Sequence, residues 1–445
     1  MNGKVALHTL GCKLNFSETS TIGKQFLSRD YDIVDINDNA DVVVFNTCTV
    51  TENAEKECRQ LVRRVLRNNP EAYVIVTGCY AQLRPDEIAN INGVDAVIGS
   101  NEKFRLFSVL DDFSKKDFAC IRVSPFDDIN SFGEAHSSDA DSRTRAYFKI
   151  QDGCDYKCSF CTIPLARGNS RSMHPEDAVD EFRKLIDQDY KEIILTGVNV
   201  GDYGKQFNLG LSDLLKRFIK IPGDFRIRIS SVEPNLLTDE LIDLIAEEEK
   251  ICNHLHIPLQ SGNSDILKSM QRRYSASDYE KVILNAHKKS ADLGIGVDVI
   301  VGFPGETEKH FIDTHNFLRD LPISYLHVFT YSERPDTKAI TFKGKVDVAE
   351  RKRRNKILRT LSEKLKHNFY KNMIGKKFKV LFEHKVTDGK MNGFTSNYIK
   401  MESDFDENIV NKLQEVEITG ITENGICKGA FTDTNKSVEL LTTLD

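Results

Sequence analysis

Short runs of β-branched and aliphatic residues alternate with stretches of helical periodicity along most of this chain, and that alternation leaves few folds open to it. From about residue 4 to 110 the runs are Val5-Ala6-Leu7, Val42-Val43-Val44-Phe45 and Tyr73-Val74-Ile75-Val76, spaced as a parallel α/β unit requires. From Tyr147 to about Tyr331 the alternation returns, with strands expected near Phe148, Ile193, Ile227, Leu255, Val299 and Val328. A helix is expected over Pro175 to Tyr190, where Val179, Phe182 and Ile186 share one face and Pro175 suits the first turn. Six such units are fewer than the eight that close a full barrel, so a partial, open barrel is expected, with its chemistry at the carboxyl ends of the strands.

Between the two α/β stretches, Ser124 to Ser142 is rich in Asp, Ser, Asn and Gly and reads as a linker. After the second stretch a basic helix is expected from about Val348 to Tyr370. Strand patterns follow at Lys379-Val-Leu-Phe-Glu, Tyr398-Ile-Lys-Met, Glu415-Val-Glu-Ile and Val438-Glu-Leu-Leu. Asp388-Gly389, Asn392-Gly393 and Asn424-Gly425 are expected turns between them, which suggests a small antiparallel barrel or sandwich. At 445 residues the chain is too long for one core, and the expected units are 1–123, a linker 124–142, 143–371 and 372–445, α/β in class.

Composition excludes several classes. Hydrophobic content of 40% and charged content of 29% fit a globular protein and leave no room for a disordered or collagen-like chain. No apolar run reaches the roughly 18 residues of a spanning helix, and the N-terminus lacks a signal-type pattern, so no membrane role and a cytoplasmic address are expected. The net charge of −6 hides an asymmetry: Arg351 to Lys379 holds 12 lysines and arginines against the single acid Glu363. A local basic surface is expected there.

Ten cysteines in such a chain suggest metal or redox chemistry more than disulfides. The sharpest signal is Cys154-Asp-Tyr-Lys-Cys158-Ser-Phe-Cys161. Three thiolates can hold three corners of a cubane iron–sulfur cluster and leave the fourth iron open to a substrate or cofactor. A structural zinc site would want a fourth ligand nearby, and none is evident. The second constellation is Leu10-Gly11-Cys12-Lys13-Leu14-Asn15, Phe45-Asn46-Thr47-Cys48 and Val76-Thr77-Gly78-Cys79. Each cysteine follows a strand-like run, so in a parallel sheet all three would leave the same edge and could converge. Three lone buried cysteines are the plainer reading of spacing alone.

The first motif resembles the CxxxCxxC of the radical S-adenosylmethionine superfamily, including an aromatic residue, Phe160, before the last cysteine. The resemblance implies a partial βα barrel and a 4Fe-4S cluster on Cys154, Cys158 and Cys161. Its open iron would chelate S-adenosylmethionine, which one electron splits to a 5′-deoxyadenosyl radical. It further implies cofactor contacts from Gly197 and Asn199 in Thr196-Gly197-Val198-Asn199, from Ser231 and Glu233 in Ser230-Ser231-Val232-Glu233-Pro234, from Arg272 and from Gly302. Glu233 would accept from the ribose hydroxyls, and Arg272 would pair with the cofactor carboxylate.

With the N-terminal cysteines, the whole chain resembles the methylthiotransferase family. That resemblance implies an auxiliary 4Fe-4S cluster on Cys12, Cys48 and Cys79, and a C-terminal module similar to the RNA-binding TRAM domain. The implied substrate is an adenosine at position 37 beside the anticodon of tRNA, methylthiolated at C2. An electron donor and a sulfur source are implied as further partners. Thr9-Leu10-Gly11-Cys12-Lys13-Leu14-Asn15 is similar to the branch that acts on N6-threonylcarbamoyladenosine. The isopentenyladenosine branch usually has Gln-Met-Asn after that cysteine, and the branch acting on a ribosomal-protein aspartate has Pro-Lys-Asn. Arg167-Gly168 and Arg171-Ser172 fit the two tRNA branches better. For the basic segment, Arg351, Lys352, Arg353, Arg354, Lys376 and Lys377 are the expected RNA contacts, with a solvated helix face as the plainer alternative. A radical enzyme acting on a protein side chain and a non-catalytic, metal-stabilised RNA-binding protein are the competing readings.

Overall fold

The computed structural model describes residues 3–49, 52–110, 112–129, 132–136 and 144–432. The first unit is a six-stranded parallel sheet of order β2-β1-β3-β4-β5-β6, built from β1 (Gly3–Thr9), β2 (Tyr31–Val34), β3 (Val42–Thr47), β4 (Tyr73–Gly78), β5 (Ala96–Ile98) and β6 (Cys120–Arg122). Strands β3 and β4 are buried along their whole length, because helices cover both faces of a parallel sheet. Alternation divides their side chains between two cores: Val43, Phe45, Val74 and Val76 pack on one face, Val42, Val44 and Ile75 on the other.

The second unit has the strands β7 (Arg145–Lys149), a short antiparallel ribbon of β8 (Gln151–Asp152) and β9 (Arg171–Ser172), then β10 (Glu192–Thr196), β11 (Arg226–Ile229), β12 (His254–His256), β13 (Gly294–Val301) and β14 (Tyr325–Thr330). The six longer ones contain the six residues expected to mark strands. They pair in parallel as β7-β10-β11 and β12-β13-β14, and single bridges Ile227↔Ile251 and Ser231↔His256 join the halves. This is a six-stranded partial barrel, open between β7 and β14. Outward residues such as Phe148, Ile193, Ile227, Leu255, Val297 and Leu326 form one core with the helices, among them Pro175–Asp187. The alternate positions, Glu192, Arg228, His256, Asp298 and His327, fall on the opposite face, so the lumen is polar.

Helix Val348–Lys371 leads into a closed barrel, order β15-β16-β17-β19-β18, from β15 (Lys377–Thr387), β16 (Lys390–Thr395), β17 (Lys400–Asp404), β18 (Leu413–Ile421) and β19 (Cys427–Phe431), antiparallel as expected except where β17 and β19 pair in parallel. Asp388 and Gly389, both with positive φ, make the expected hairpin turn. Asn392-Gly393 does not: it lies inside β16, where a Cβ on Gly393 would come within 2.8 Å of the Leu381 carbonyl oxygen, so the glycine serves a close strand approach. The expected strand at Val438-Glu-Leu-Leu lies outside the described residues, as does the 137–142 part of the expected linker.

The small barrel sits on the amino ends of the partial barrel's strands. Arg226 donates to the carbonyls of Lys379 (3.0 Å) and Phe394 (2.8 Å), and Arg228 to those of Thr395 and Ser396 (both 3.0 Å). The N-terminal unit docks at the lateral opening, where Phe16 meets Tyr147 of β7 edge to face at 5.6 Å. Among the described residues no helix is long and apolar enough to cross a membrane.

Candidate active site between two cysteine triads

Cys154, Cys158 and Cys161 lie on the loop between β8 and helix Ile163–Arg167. Backbone bonds hold that loop: Cys154 N–H to the Gly168 carbonyl (3.0 Å), Ser159 N–H to Met270 (3.0 Å), and Cys161 N–H to Cys158 (3.2 Å). Burial raises all three thiols, Cys154 and Cys161 to about 12, and charge on any one disfavours charge on the next. Three packed thiols become thiolates together only beside a strong cation, so this donor set fits a metal cluster and would be a poor apo cysteine cluster. Arg272 adds a hydrogen bond from Nη1 to the Cys158 Sγ at 3.1 Å.

Beside Cys161, a cavity of about 230 Å³ is lined by Phe160, Gln260, Asp298, Ile300, Phe329 and Tyr331, roomy enough for part of a nucleoside cofactor. The expected cofactor residues surround the same end of the barrel with differing duties. Asn199 donates from its backbone N–H to Gln151 Oε1 (2.9 Å) and from its side-chain amide to Asp202 (2.9 Å), while a Cβ on Gly197 would lie 2.8 Å from Gln151 Oε1. Ser231 Oγ is 3.0 Å from His256 Nδ1. Glu233 and Arg272 pair with each other, so each already has a partner other than the cofactor. At Gly302, φ +77°, the missing Cβ leaves space for Arg351, whose Cγ would lie 2.3 Å from it, so packing against Arg351 gives this glycine a structural reason of its own.

The other triad is assembled by three strand ends. Cys12 caps helix Lys13–Leu27, Cys48 follows β3, and Cys79 opens helix Cys79–Leu83. Gly11, at φ +111°, lets Cys48 approach, since a Cβ there would lie 2.6 Å from the Cys48 Cβ. Asn15 ties the loops by donating to the carbonyls of Leu10 (2.9 Å) and Thr47 (3.0 Å). Cys48 and Cys79 are buried, whereas Cys12 reaches water from a position surrounded by protein. Burial raises the Cys12 thiol, with Arg167 opposing and Cys79 adding to the rise.

Arg167 joins the two halves. Its guanidinium donates to Cys79 Sγ (3.3 Å), Asn15 Oδ1 (2.7 Å), Glu18 (2.9 and 3.1 Å) and Asp152 (3.0 Å), all in the interior. Lys103 and Lys149 complete the knot on Glu18 at 2.6 and 3.1 Å. Leaving Arg171 aside, three cations meet two carboxylates, and the surplus charge lies beside Cys79, which fits an anionic thiolate set. A second strap, Arg334 with Glu55 and Thr49, and a third, Arg84 to Asp336 at 2.7 Å, cross the same interface.

Among the residues expected to touch RNA, Arg351 and Arg354 are corrected: each is 4% exposed. Arg351 grips Glu333 (2.7 and 2.9 Å) and backbone carbonyls, and Arg354 grips Glu306 (2.7 Å) and Glu350 (2.7 Å), because a guanidinium offers several donors to acceptors gathered at the start of this helix. Arg353 is half-exposed but held by Glu308 and Glu350. Lys352 and Lys377 remain exposed, and Lys376 pairs with Asp292 at 2.5 Å. Sequence reading passed over Glu18, Lys149 and the trio His256, Asp298 and His327, in which Asp298 Oδ1 lies 2.9 Å from His256 Nε2 and 3.3 Å from His327 Nδ1. These come from separate elements, and no local motif marks them.

Comparison with known proteins agrees with this geometry. The Radical SAM superfamily matches residues 148–318, and the Uncharacterized protein family UPF0004 matches residues 4–99. The threonylcarbamoyladenosine tRNA methylthiotransferase MtaB of Bacillus subtilis (strain 168) is 39% identical over 423 residues, 93% of each chain. Its namesake from Aquifex aeolicus (strain VF5) is 38% identical over 90% of this chain and 96% of the relative. A tRNA-2-methylthio-N(6)-dimethylallyladenosine synthase of Clostridium botulinum (strain Hall) is 34% identical over 81% of this chain and 82% of the relative. Among solved structures, the radical S-adenosylmethionine methyltransferase TsrM from Kitasatospora setae, with cobalamin and a [4Fe-4S] cluster, superposes with a TM-score of 0.57 at 15% identity over 76% of this chain and 77% of that one. That last likeness is one of fold. Fold and site together define a radical S-adenosylmethionine enzyme that uses a 4Fe-4S cluster. Within that superfamily, the chain belongs to the methylthiotransferase family, enzymes that transfer a sulfur-containing group.

Proposed function

We propose that the protein methylthiolates C2 of N6-threonylcarbamoyladenosine at position 37 of tRNA, beside the anticodon. The observation that supports it most is the joining of the two cysteine triads by one buried residue: Arg167 stands six positions after Cys161 and donates to Cys79 Sγ. In this reading Cys154, Cys158 and Cys161 hold the radical cluster, and Cys12, Cys48 and Cys79 hold an auxiliary one. When bound, the clusters and S-adenosylmethionine supply a carbon radical able to take the C2 hydrogen and a methylated sulfur to replace it.

The chain's own residues do the positioning. Arg272 donates to Cys158 Sγ and anchors Glu233, so these polar groups beside the cysteine loop are set before any ligand enters. Phe160, braced edge to face on Phe303 at 6.4 Å, walls the cavity from one side. Arg167, Lys103 and Lys149 offset negative charge on the thiolate set at Cys79 while fixing the N-terminal unit over the barrel. The exposed cations of the long helix and the small barrel, with Lys352 and Lys377 among them, bind phosphates of a folded RNA. The functional division follows 1–123, 143–371 and 372–445, with 124–142 between them. A cytoplasmic address, an external electron donor and a separate sulfur source belong to the same reading.

Two experiments test it. Anaerobically reconstituted protein, given S-adenosylmethionine, a reductant and tRNA carrying N6-threonylcarbamoyladenosine, is expected to yield the 2-methylthio nucleoside by mass spectrometry. Product only from isopentenyladenosine tRNA, or from neither, would overturn the assignment. Iron analysis is expected to give about eight irons per chain, falling to about four in the Cys154→Ala/Cys158→Ala/Cys161→Ala variant; a fall from about four to none would remove the auxiliary cluster.

A further inference from the structure

The amino-end floor of the partial barrel holds more positive charge than its carboxylates balance. Arg226 and Arg228 both grip Glu192, at 2.6 and 2.9 Å, and Arg145 pairs with Glu383. Lys13 is the fourth cation: the contact of Phe16 with Tyr147 sets the first turn of helix Lys13–Leu27 against β7, where Arg145 shares a face with Tyr147. Lys13 is exposed, and its side chain makes no hydrogen bond or ion pair among the described residues. Four cations thus meet two acids, and an exposed ammonium beside that excess of positive charge is open to an anion from solution.

The surroundings describe that anion's carrier. Phe16, one turn along the same helix and 39% exposed, stands against Tyr147. Across the floor Phe394 and Tyr398 stack at 5.0 Å, with Arg145 and Arg228 over their faces at 5.1 and 5.0 Å. A floor that combines aromatic rings with an excess of cations suits a flat base bearing an anionic arm. The carboxylate of S-adenosylmethionine is a less suitable occupant, because the cavity at Phe160 and Cys161 and the cation Arg272 lie toward the carboxyl ends of the strands.

We propose that Lys13 is a specificity-determining residue that binds the carboxylate of the N6-threonylcarbamoyl group. This rests on the function proposed above and assigns the residue that reads its substrate. Lys13 directly follows Cys12, so a base whose C2 faces the auxiliary triad has its N6 arm within reach of the same loop.

The test is binding of fluorescent anticodon stem-loops to the reconstituted full chain. The loops carry N6-threonylcarbamoyladenosine, its carboxamide analogue, or isopentenyladenosine. Wild type is expected to hold the carboxylate loop roughly tenfold or more tighter than the carboxamide loop. Lys13→Gln is expected to erase that preference while keeping its iron and sulfide, and Lys13→Arg to keep most of it. A Lys13→Gln protein that discriminates as wild type does overturns the proposal. Equal weakening of all three loops assigns Lys13 to a backbone phosphate, and a raised KM for S-adenosylmethionine assigns it to the cofactor; either overturns it too. If wild type makes no product from the carboxylate loop, the proposed function fails; if product forms and Lys13→Gln still discriminates, only this inference fails.

Discussion

Arg167 shows how much one side chain can carry. Burial alone would raise the carboxyls of Glu18 and Asp152, but Arg167, Lys103 and Lys149 at Glu18, and Lys149, Arg167 and Arg171 at Asp152, outweigh it and hold both well below the usual range. Arg167→Ala leaves those carboxylates short of a partner in the interior, and a loss of about 3–5 kcal/mol is expected by calorimetry. A loss within about 0.5 kcal/mol of wild type, ordinary for a surface change, would show that the knot does not hold the units together. Lysine is a poor substitute, since only a planar fork reaches Cys79, Asn15, Glu18 and Asp152 at once. Gly302→Ala tests whether that glycine serves packing or the cofactor: strain against Arg351 is expected to cost about 1–3 kcal/mol of stability with the KM for S-adenosylmethionine unchanged. A raised KM at unchanged stability would return Gly302 to the cofactor.

At the scale of the element, helix Val348–Lys371 divides its charge by face. Arg351 and Arg354 turn inward to strand ends, while Lys352, Lys356 and Arg359 line the solvent side without a partner among the described residues. Their spacing of four and then three residues puts them on one stripe. Reversing all three to glutamate is expected to weaken tRNA binding and flatten its dependence on log salt by roughly one unit for each phosphate no longer neutralised. Unchanged affinity would make the stripe a solvated face. Arg351→Gln is expected to behave in the opposite way, losing stability while RNA affinity stays. The run of twelve basic residues was visible in the sequence, but which of them face solvent was not, because helical periodicity cannot tell that glutamates from residues 306, 308 and 333 stand ready on the inner side.

The whole molecule is held by charge across its main interface, and this makes it acid-sensitive. Glu18 and Asp152 have native carboxyls below their unfolded value of about 4, so the unfolded chain binds more protons in acid. Their contribution is present above about pH 5 and lost as pH falls toward about 2. Thermal stability, followed by calorimetry, is expected to drop across that window, and Glu18→Gln to drop less steeply. A variant as acid-sensitive as wild type would place the labile groups elsewhere.

The strands of both α/β units, the long basic helix and the two cysteine groups were legible in the chain because each depends on local periodicity or on short spacing. Phe148, Ile193, Ile227, Leu255, Val299 and Val328 all lie in strands of the partial barrel, since buried parallel strands need continuous apolar runs. Asn392-Gly393 read wrongly because a glycine demanded by a neighbouring strand looks the same as one demanded by a turn. Only the tertiary structure decided which cations are spent on internal carboxylates and which are left for a ligand. Arg351 and Lys13 are both basic residues at the start of a helix. One is closed off by Glu333, the other is exposed beside an excess of positive charge, and that difference lies in residues far apart in the chain.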